Sequence, residues 1–177
     1  MFDRLIDLVV QFLHLFQFWF VTSDWQKSLV LRLGRLHRHA GPGFHWKWPL
    51  HIEVVLSASV VLETITVGPQ SLTTKDDQSI VMSTVVTFRI ADVQKFLLDV
   101  EGAHQVIEDS TYGINSTFIM DRTWPVLRAM DVGHELTKLI RRQAKRYGVE
   151  IENVQIADFT KSKSFRLVQS MNHHSHS

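Results

Sequence analysis

An α+β fold is predicted by three features of this sequence. The first is a dense apolar run near the N terminus, RLIDLVVQFLHLFQFWFV over residues 4–21. The second is a series of extended, β-branched segments punctuated by glycine and proline. The third is a later change in apolar spacing from two to three or four, followed by a last extended segment at residues 149–159. At 177 residues the chain is long enough to bury a core of its own. A formal net charge of +1 excludes a global field that would recruit nucleic acid or an acidic substrate. The absence of cysteine excludes disulfides, thiolate metal sites and thiol nucleophiles.

As a helix, residues 4–21 would reach about 27 Å, against roughly 30 Å of hydrocarbon in a bilayer. The run ends FWFVTSDW rather than in the small residues of a cleavage site, so it is expected to stay attached. Asp3, Asp7, Gln11, His14 and Gln17 are spaced by four, four, three and three, which gathers them on about a third of the helix circumference. Leu5, Ile6, Leu8, Val9, Phe12, Leu13, Leu15, Phe16, Phe18, Trp19 and Phe20 occupy the remainder. That is more apolar surface than one core-facing stripe needs. An amphipathic helix on a soluble core and a helix lying flat in the headgroup layer are the alternatives. The favoured reading is a membrane-embedded helix over residues 1–22. Its polar stripe, Asp7, Gln11, His14 and Gln17, would meet neighbouring copies, because polar groups facing lipid are costly. Lys27, Arg32, Arg35 and Arg38 follow the run, while only Arg4 and the amino terminus precede it. Read as a positive-inside bias, this puts the main domain on the cytoplasmic side.

The main folded unit is expected over residues 23–159. Residues 27–36, KSLVLRLGRL, read as one strand with a glycine-containing bend, and Gly41-Pro42-Gly43 as a tight turn. Beyond the turn, Phe44, Trp46 and Trp48 point one way and His45 and Lys47 the other. Pro49 then confines pairing to an edge or a strand end. Residues 54–67 read as one long strand broken by Gly68-Pro69. LTTKDDQSIVMSTVVTFRI reads as a hairpin with a solvated tip at Lys75, Asp76 and Asp77. One face of its second strand carries Ile80, Met82, Thr84, Val86, Phe88 and Ile90.

Asp92 is expected to cap a helix, DVQKFLLDV, with Val93, Phe96, Leu97 and Val100 on one side. A second helical pattern over 102–120 runs through Val106, Ile107, Ile114 and Phe118 and is weakened by Gly113. A third, over 133–147, buries Leu136, Leu139, Ile140 and Tyr147 and stops at Gly148. Residues 149–159 return to strand, and residues 160–177 form a short polar, histidine-containing tail.

Candidate chemistry is sparse. His37, His39, His45 and His51 include His-x-His spacing of the kind metal sites use, but with no cysteine or carboxylate among them a metal site is the lesser reading. His173, His174 and His176 would bind transition metals adventitiously. Asp76 and Asp77 suit a hairpin tip better than a catalytic pair. There is no GxSxG, no phosphate-cradling glycine loop and no HExxH. No catalytic, cofactor or metal residue is assigned, and a small hydrolase or metal-dependent enzyme is the distant alternative. Lys138, Arg141, Arg142, Lys145 and Arg146 spread over the exposed side of the third helix. Macrodipole compensation is their first reading. Contact with an acidic face of the next subunit is the second and makes them oligomer-interface candidates. Anionic lipid is third, and nucleic acid last, since no aromatics interleave for base stacking.

The blocks SLVLRLGRL, GPGFHWKWPL, SLTTKDDQSIVMSTVVTFRI, DVQKFLLDVEGA and YGVEIENVQIADF occur in that order after an apolar N-terminal segment. Together, over about residues 25–159, they resemble the stomatin/prohibitin/flotillin superfamily, the SPFH or band 7 domain. The resemblance implies an antiparallel-sheet subdomain plus a mixed α/β subdomain. It also implies a non-enzymatic homo-oligomer of many subunits on a membrane, forming a ring or cage that organises a bilayer patch or its resident proteins. A regulatory subunit of a membrane protease is the alternative function. In such proteins the first subdomain sits in or against one leaflet. That would place Phe44, Trp46 and Trp48 at headgroup level with Lys47 available to phosphates, aromatic packing in a soluble core being the alternative. The tail after Phe159 carries no sustained heptads. A flatter ring, or one borrowing walls from a longer partner, is therefore expected instead of a tall cage.

Overall fold

The structure, a computed structural model, describes residues 18–50 and 52–162. The candidate anchor residues Leu5, Ile6, Leu8, Val9, Phe12, Leu13, Leu15 and Phe16 lie outside these. So do the stripe residues Asp7, Gln11, His14 and Gln17, together with His51 and the tail histidines. Among the described residues no helix is long and apolar enough to cross a membrane.

Among the described residues, seven strands are followed by three α-helices and an eighth strand, in two lobes. The strands of the first lobe are β1 (Trp19–Thr22), β2 (Gln26–Arg32), β3 (Arg35–Ala40), β4 (Gly43–Trp46) and β5 (Glu53–Ser59). They form a two-stranded β1–β4 ribbon and an antiparallel sheet ordered β3-β2-β5. In the second lobe, β6 (Glu63–Thr73), β7 (Ser79–Ile90) and β8 (Val149–Lys161) make an antiparallel sheet ordered β6-β7-β8. Between β7 and β8 come a π-helical turn (Lys95–Asp99), α1 (Ala103–Met120), α2 (Trp124–Ala129), α3 (Val132–Ala144) and a 3-10 turn (Lys145–Tyr147).

The alternation in β7 sets the core. Ile80, Met82, Thr84, Val86, Phe88 and Ile90 are all buried, as their shared face predicts. Against them pack Ile107, Phe118 and Ile119 of α1, Leu136 and Ile140 of α3, and Ile151 and Val154 of β8. Asn115 of α1 is wholly buried among these and donates to Gln70 Oε1 and to Thr84 Oγ1, each at 3.2 Å. The single polar position on the β7 core face thus receives a partner. α3 lies along the outer side of β8. Thr137 Oγ1 accepts from the Val154 amide at 3.1 Å, and Arg141 donates to the Ile151 and Glu152 carbonyls at 2.9 and 3.0 Å. Side chains of α3 thereby occupy part of what would be an open sheet edge.

Several boundaries differ from the sequence reading. The end of the apolar run is strand, not helix: Trp19, Phe20, Val21 and Thr22 pair with Trp46, His45, Phe44 and Gly43. Aromatic and β-branched residues favour the extended chain once a partner strand is present. Residues 27–36 are not one bent strand but most of the β2–β3 hairpin, turned at Leu33 and Gly34 with φ of 50° and 78°. The expected strand over 54–67 divides at residues 60–62, where the chain passes from one sheet to the other and the Val60 amide donates to the Trp25 carbonyl at 2.9 Å. Gly68-Pro69 does not end β6. It forms a bulge between Val67 and Gln70, and a Cβ on Gly68 would lie 3.1 Å from the Tyr112 hydroxyl. Asp92 does accept from the Lys95 amide at 3.1 Å, but the segment it caps winds as a π turn. The β6–β7 tip is exposed yet not merely solvated. Asp76 accepts from the Thr74 hydroxyl at 2.6 Å and from the Trp124 amide at 2.9 Å, so it caps the start of α2.

Gly148 joins the helical layer to β8 at φ 75°, and a Cβ there would sit 2.4 Å from the Asp92 carbonyl oxygen. Gly113, inside α1, has open space around the same position. Gly148→Ala is therefore expected to destabilise by about 2–3 kcal/mol, from left-handed strain plus overlap with backbone. Gly113→Ala should instead stabilise by up to about 1 kcal/mol. Urea midpoints of the two variants check both signs, and equal midpoints would contradict this account.

Candidate functional site: an aromatic ribbon and the carboxylate beneath it

The β1–β4 register puts Trp19 opposite Trp46 and Val21 opposite Phe44. Side chains of opposed residues share a face, so these four form one apolar surface. It faces outward: Val21 is 68% and Trp46 66% exposed, with Trp19 and Phe44 also open. Phe44 and Trp46 meet edge to face at 5.7 Å. Phe20 and His45 occupy the other face, stacked at 5.2 Å, and the His45 Nε2 lies 2.7 Å from the Gly41 carbonyl oxygen. The alternation predicted for Phe44 and Trp46 against His45 is what the ribbon displays, and Trp48 beyond it is exposed as well.

Neighbouring loops extend the surface. The Lys47 amide donates to the Phe18 carbonyl at 2.7 Å, which keeps exposed Phe18 beside the end of β4. Leu33 and Leu50 both adopt positive φ, 50° and 59°, and both are exposed, Leu33 at 79%. The Leu33 amide donates to the Ile52 carbonyl at 2.9 Å, so the β2–β3 turn abuts the segment that carries Leu50. A leucine costs about 1–2 kcal/mol in the left-handed region, where glycine costs little. Large apolar side chains thus stand exposed at two strained positions in the loops near this face.

Two polar devices fasten the ribbon to the sheet. At the β1 end, Thr22, Ser28 and Ser57 make a hydroxyl chain across β1, β2 and β5, at 2.9 and 2.8 Å. At the other end stands Glu53, the first residue of β5, whose side chain is 1% exposed. Arg32 donates Nε and an Nη to Glu53 Oε1 at 3.0 and 2.7 Å, while the Trp48 amide donates to Oε2 at 3.1 Å. Arg38 lies 3.9 Å from Oε2 and also donates to the Trp46 carbonyl. One carboxylate therefore fixes β2, β3 and the backbone that presents Trp46 and Trp48. Sequence reasoning missed it; the available signal was a lone acid opening a strand-like run, with arginines upstream in an alternating segment. Arg32 and Arg38, two of the charges behind the expected cytoplasmic orientation, serve this carboxylate.

The predicted basic residues are exposed yet divided in role. Lys138 pairs with Glu135 at 2.7 Å, and Arg141 is clipped to β8. Arg142, Lys145 and Arg146 have no partner among the described residues. Among the described residues, no cluster of three or more histidines and acids could hold a metal ion.

Burial works against ionisation of Glu53, but the Arg32 hydrogen bonds, the Trp48 amide and the charges of Arg32 and Arg38 outweigh it and hold its carboxyl below the usual range. A carboxyl with a depressed folded-state pKa contributes stability above its unfolded value, lost as pH falls through the folded value. Glu53→Gln should therefore cost about 2–3 kcal/mol at neutral pH, less than a fully buried pair because both guanidiniums reach solvent. The deficit should shrink as pH falls below the ordinary carboxylate range. Denaturation curves of wild type and variant at both pH values test this, and a deficit of the same size in acid would refute it.

The chain matches the model of the "SPFH domain / Band 7 family" over residues 20–173. It is 24% identical to an uncharacterized protein of Methanocaldococcus jannaschii over 78% of this chain and 70% of that one. To stomatin-4 of Caenorhabditis elegans it is 25% identical, over 78% of this chain and 50% of the other. To protein HflK of Vibrio cholerae it is 31% identical, over 52% of this chain and 25% of the other. The chain therefore spans from 25% to 70% of the length of these relatives. With its antiparallel sheets, its helical layer and a match covering most of its length, this chain belongs to the SPFH/band 7 family.

Proposed function

We propose that this protein is a membrane-attached oligomeric scaffold, without catalytic activity of its own, that organises a patch of bilayer or the proteins resident in it. The observation that carries the reading is the exposed face shared by Trp19, Val21, Phe44 and Trp46 and extended by Trp48, Leu50 and Leu33. Tryptophan at the headgroup level has its apolar ring covered and its indole N–H still hydrogen-bonded, which suits it to that layer. Covering about 100 Å² on each of four aromatic residues is worth up to about 10 kcal/mol at 25 cal/mol per Å². After the costs of association, that supports shallow attachment. Assembly into a ring or shallow cage is supported by Arg142 near the end of α3 and Lys145 and Arg146 in the following turn, which have no partner among the described residues and are available to a neighbouring subunit.

Depth is measurable, since Trp19, Trp25, Trp46, Trp48 and Trp124 are the only tryptophans and Trp124 stacks on Phe159 at 5.4 Å in the second lobe. On vesicles whose acyl chains carry bromine, a chain retaining only Trp46 should be strongly quenched. One retaining only Trp124 should not. Trp46 emission equal to that in buffer would count against the ribbon as the contact. For assembly, the Arg142→Gln/Arg146→Gln variant should shift detergent-extracted particles to smaller mass, with melting temperature unchanged. Particles of wild-type mass would remove these residues from the interface.

A further inference from the structure

A second exposed apolar cluster lies where the chain passes from the first lobe to the second. Trp25 and Leu62 are each 57% exposed, and Val61 is exposed as well. The Trp25 carbonyl accepts from the Val60 amide at 2.9 Å, which brings Trp25 beside Val61 and Leu62. Trp25 precedes β2 and Leu33 follows it, so about 26 Å of strand separates this cluster from the turn at Leu33. Asp24, next to Trp25, is exposed and has no partner among the described residues.

An open groove of about 630 Å³ runs between α1 and α3. Ile114 and Phe118 of α1 and Leu139 of α3 give it an apolar lining, and Gly113 leaves space in its wall. Arg122, Arg142 and Asp121 border it, so the rim carries a net charge of about +1. Arg122 is held in place: it donates to the Phe118 carbonyl at 2.9 Å, and its guanidinium lies 3.8 Å over the Phe118 ring. Arg142 is exposed and has no partner among the described residues. The cluster cannot fill the groove of its own chain. Leu62 leads into Glu63, which lies 3.1 Å from His104 in the first turn of α1. Phe118 is about 21 Å further along that helix, a separation no side chain spans.

We infer that Trp25 and Leu62 of one copy insert into the α1–α3 groove of the next, with Asp24 against Arg142. The two surfaces are complementary in chemistry, an apolar cluster bordered by an acid and an apolar groove bordered by an arginine. Tryptophan and arginine are also the side chains that most often dominate interface energetics. Different patches on the two copies make a heterologous contact, which repeats from copy to copy and closes into a ring where the rotation allows. The inference rests on the scaffold reading and deepens it, because that reading leaves unnamed the surface that Arg142 meets.

The test uses the full chain, which contains no cysteine. Leu62→Cys chains mixed with Thr117→Cys chains and oxidised should give a disulfide-linked dimer that neither gives alone. Leu62→Cys mixed with Asn153→Cys, on β8, should not. Trp25→Ala keeps the carbonyl that holds Val60. It should raise the concentration at which detergent-extracted particles half-dissociate about thirtyfold or more, as loss of a hot-spot side chain does, with melting temperature unchanged. Asp24→Arg should weaken assembly about tenfold, and Asp24→Arg/Arg142→Asp should restore it. On vesicles with brominated acyl chains, a chain retaining only Trp25 should not be quenched. Wild-type assembly in Trp25→Ala, no disulfide between positions 62 and 117, no rescue by the charge exchange, or quenching of Trp25 by lipid would each overturn this contact and leave the scaffold reading standing. Wild-type chain that stays monomeric at every concentration would instead overturn the scaffold reading, and this contact with it.

Discussion

The Glu53 carboxylate, buried where β5 begins, is the contact on which the exposed end of the first lobe depends. A two-stranded ribbon of four residues per strand is not stable alone in water. It needs fastening to something that is. The Thr22–Ser28–Ser57 hydroxyl chain holds one end, and Glu53 holds the other through the Trp48 amide and the Arg38 that meets the Trp46 carbonyl. A buried ion pair adds little net stability compared with an apolar substitute, but it specifies geometry once formed. Here the geometry specified is the outward direction of two tryptophans.

The second lobe has a different organisation. β7 is central to its sheet, with β6 on one side and β8 on the other, and its inward face is apolar except at Thr84. Asn115 donates to that hydroxyl and to Oε1 of the bulged Gln70, so the one polar core position fixes the register between α1 and the sheet. A helix shifted by one turn would leave Asn115 and Thr84 both without partners, at a cost comparable to losing a well-packed side chain. The two lobes thus use the same device, a buried polar group with few possible partners, to fix where larger apolar surfaces lie.

What could be read in the sequence was whatever a local period or a single residue's conformational freedom decides. The β7 alternation, the amphipathic α3, the stop at Gly148 and the outward set of Phe44 and Trp46 are all of this kind. What could not be read depends on partners distant in the chain. Val60 to Leu62 contain no turn residue, and the chain leaves one sheet there only because β5 pairs with β2 and β6 with β7. Leu33 hides a two-residue turn because leucine is a poor occupant of positive φ. Trp19 to Thr22 look like the end of an apolar helix until β4 supplies their hydrogen bonds. Glu53 looks like the polar edge of a strand until Arg32, 21 residues earlier, closes on it. The aromatic half of the candidate site was legible, and the electrostatic half was not.

Those two halves bear on how a shallow contact could hold in the proposed scaffold. An interfacial aromatic patch detaches readily when it acts alone, because each copy must overcome the entropy of immobilisation by itself. Copies fixed side by side change that balance, since one bound ribbon holds its neighbours at high effective concentration over the same bilayer. Modest affinity per copy then becomes an advantage: the assembly holds while individual ribbons exchange.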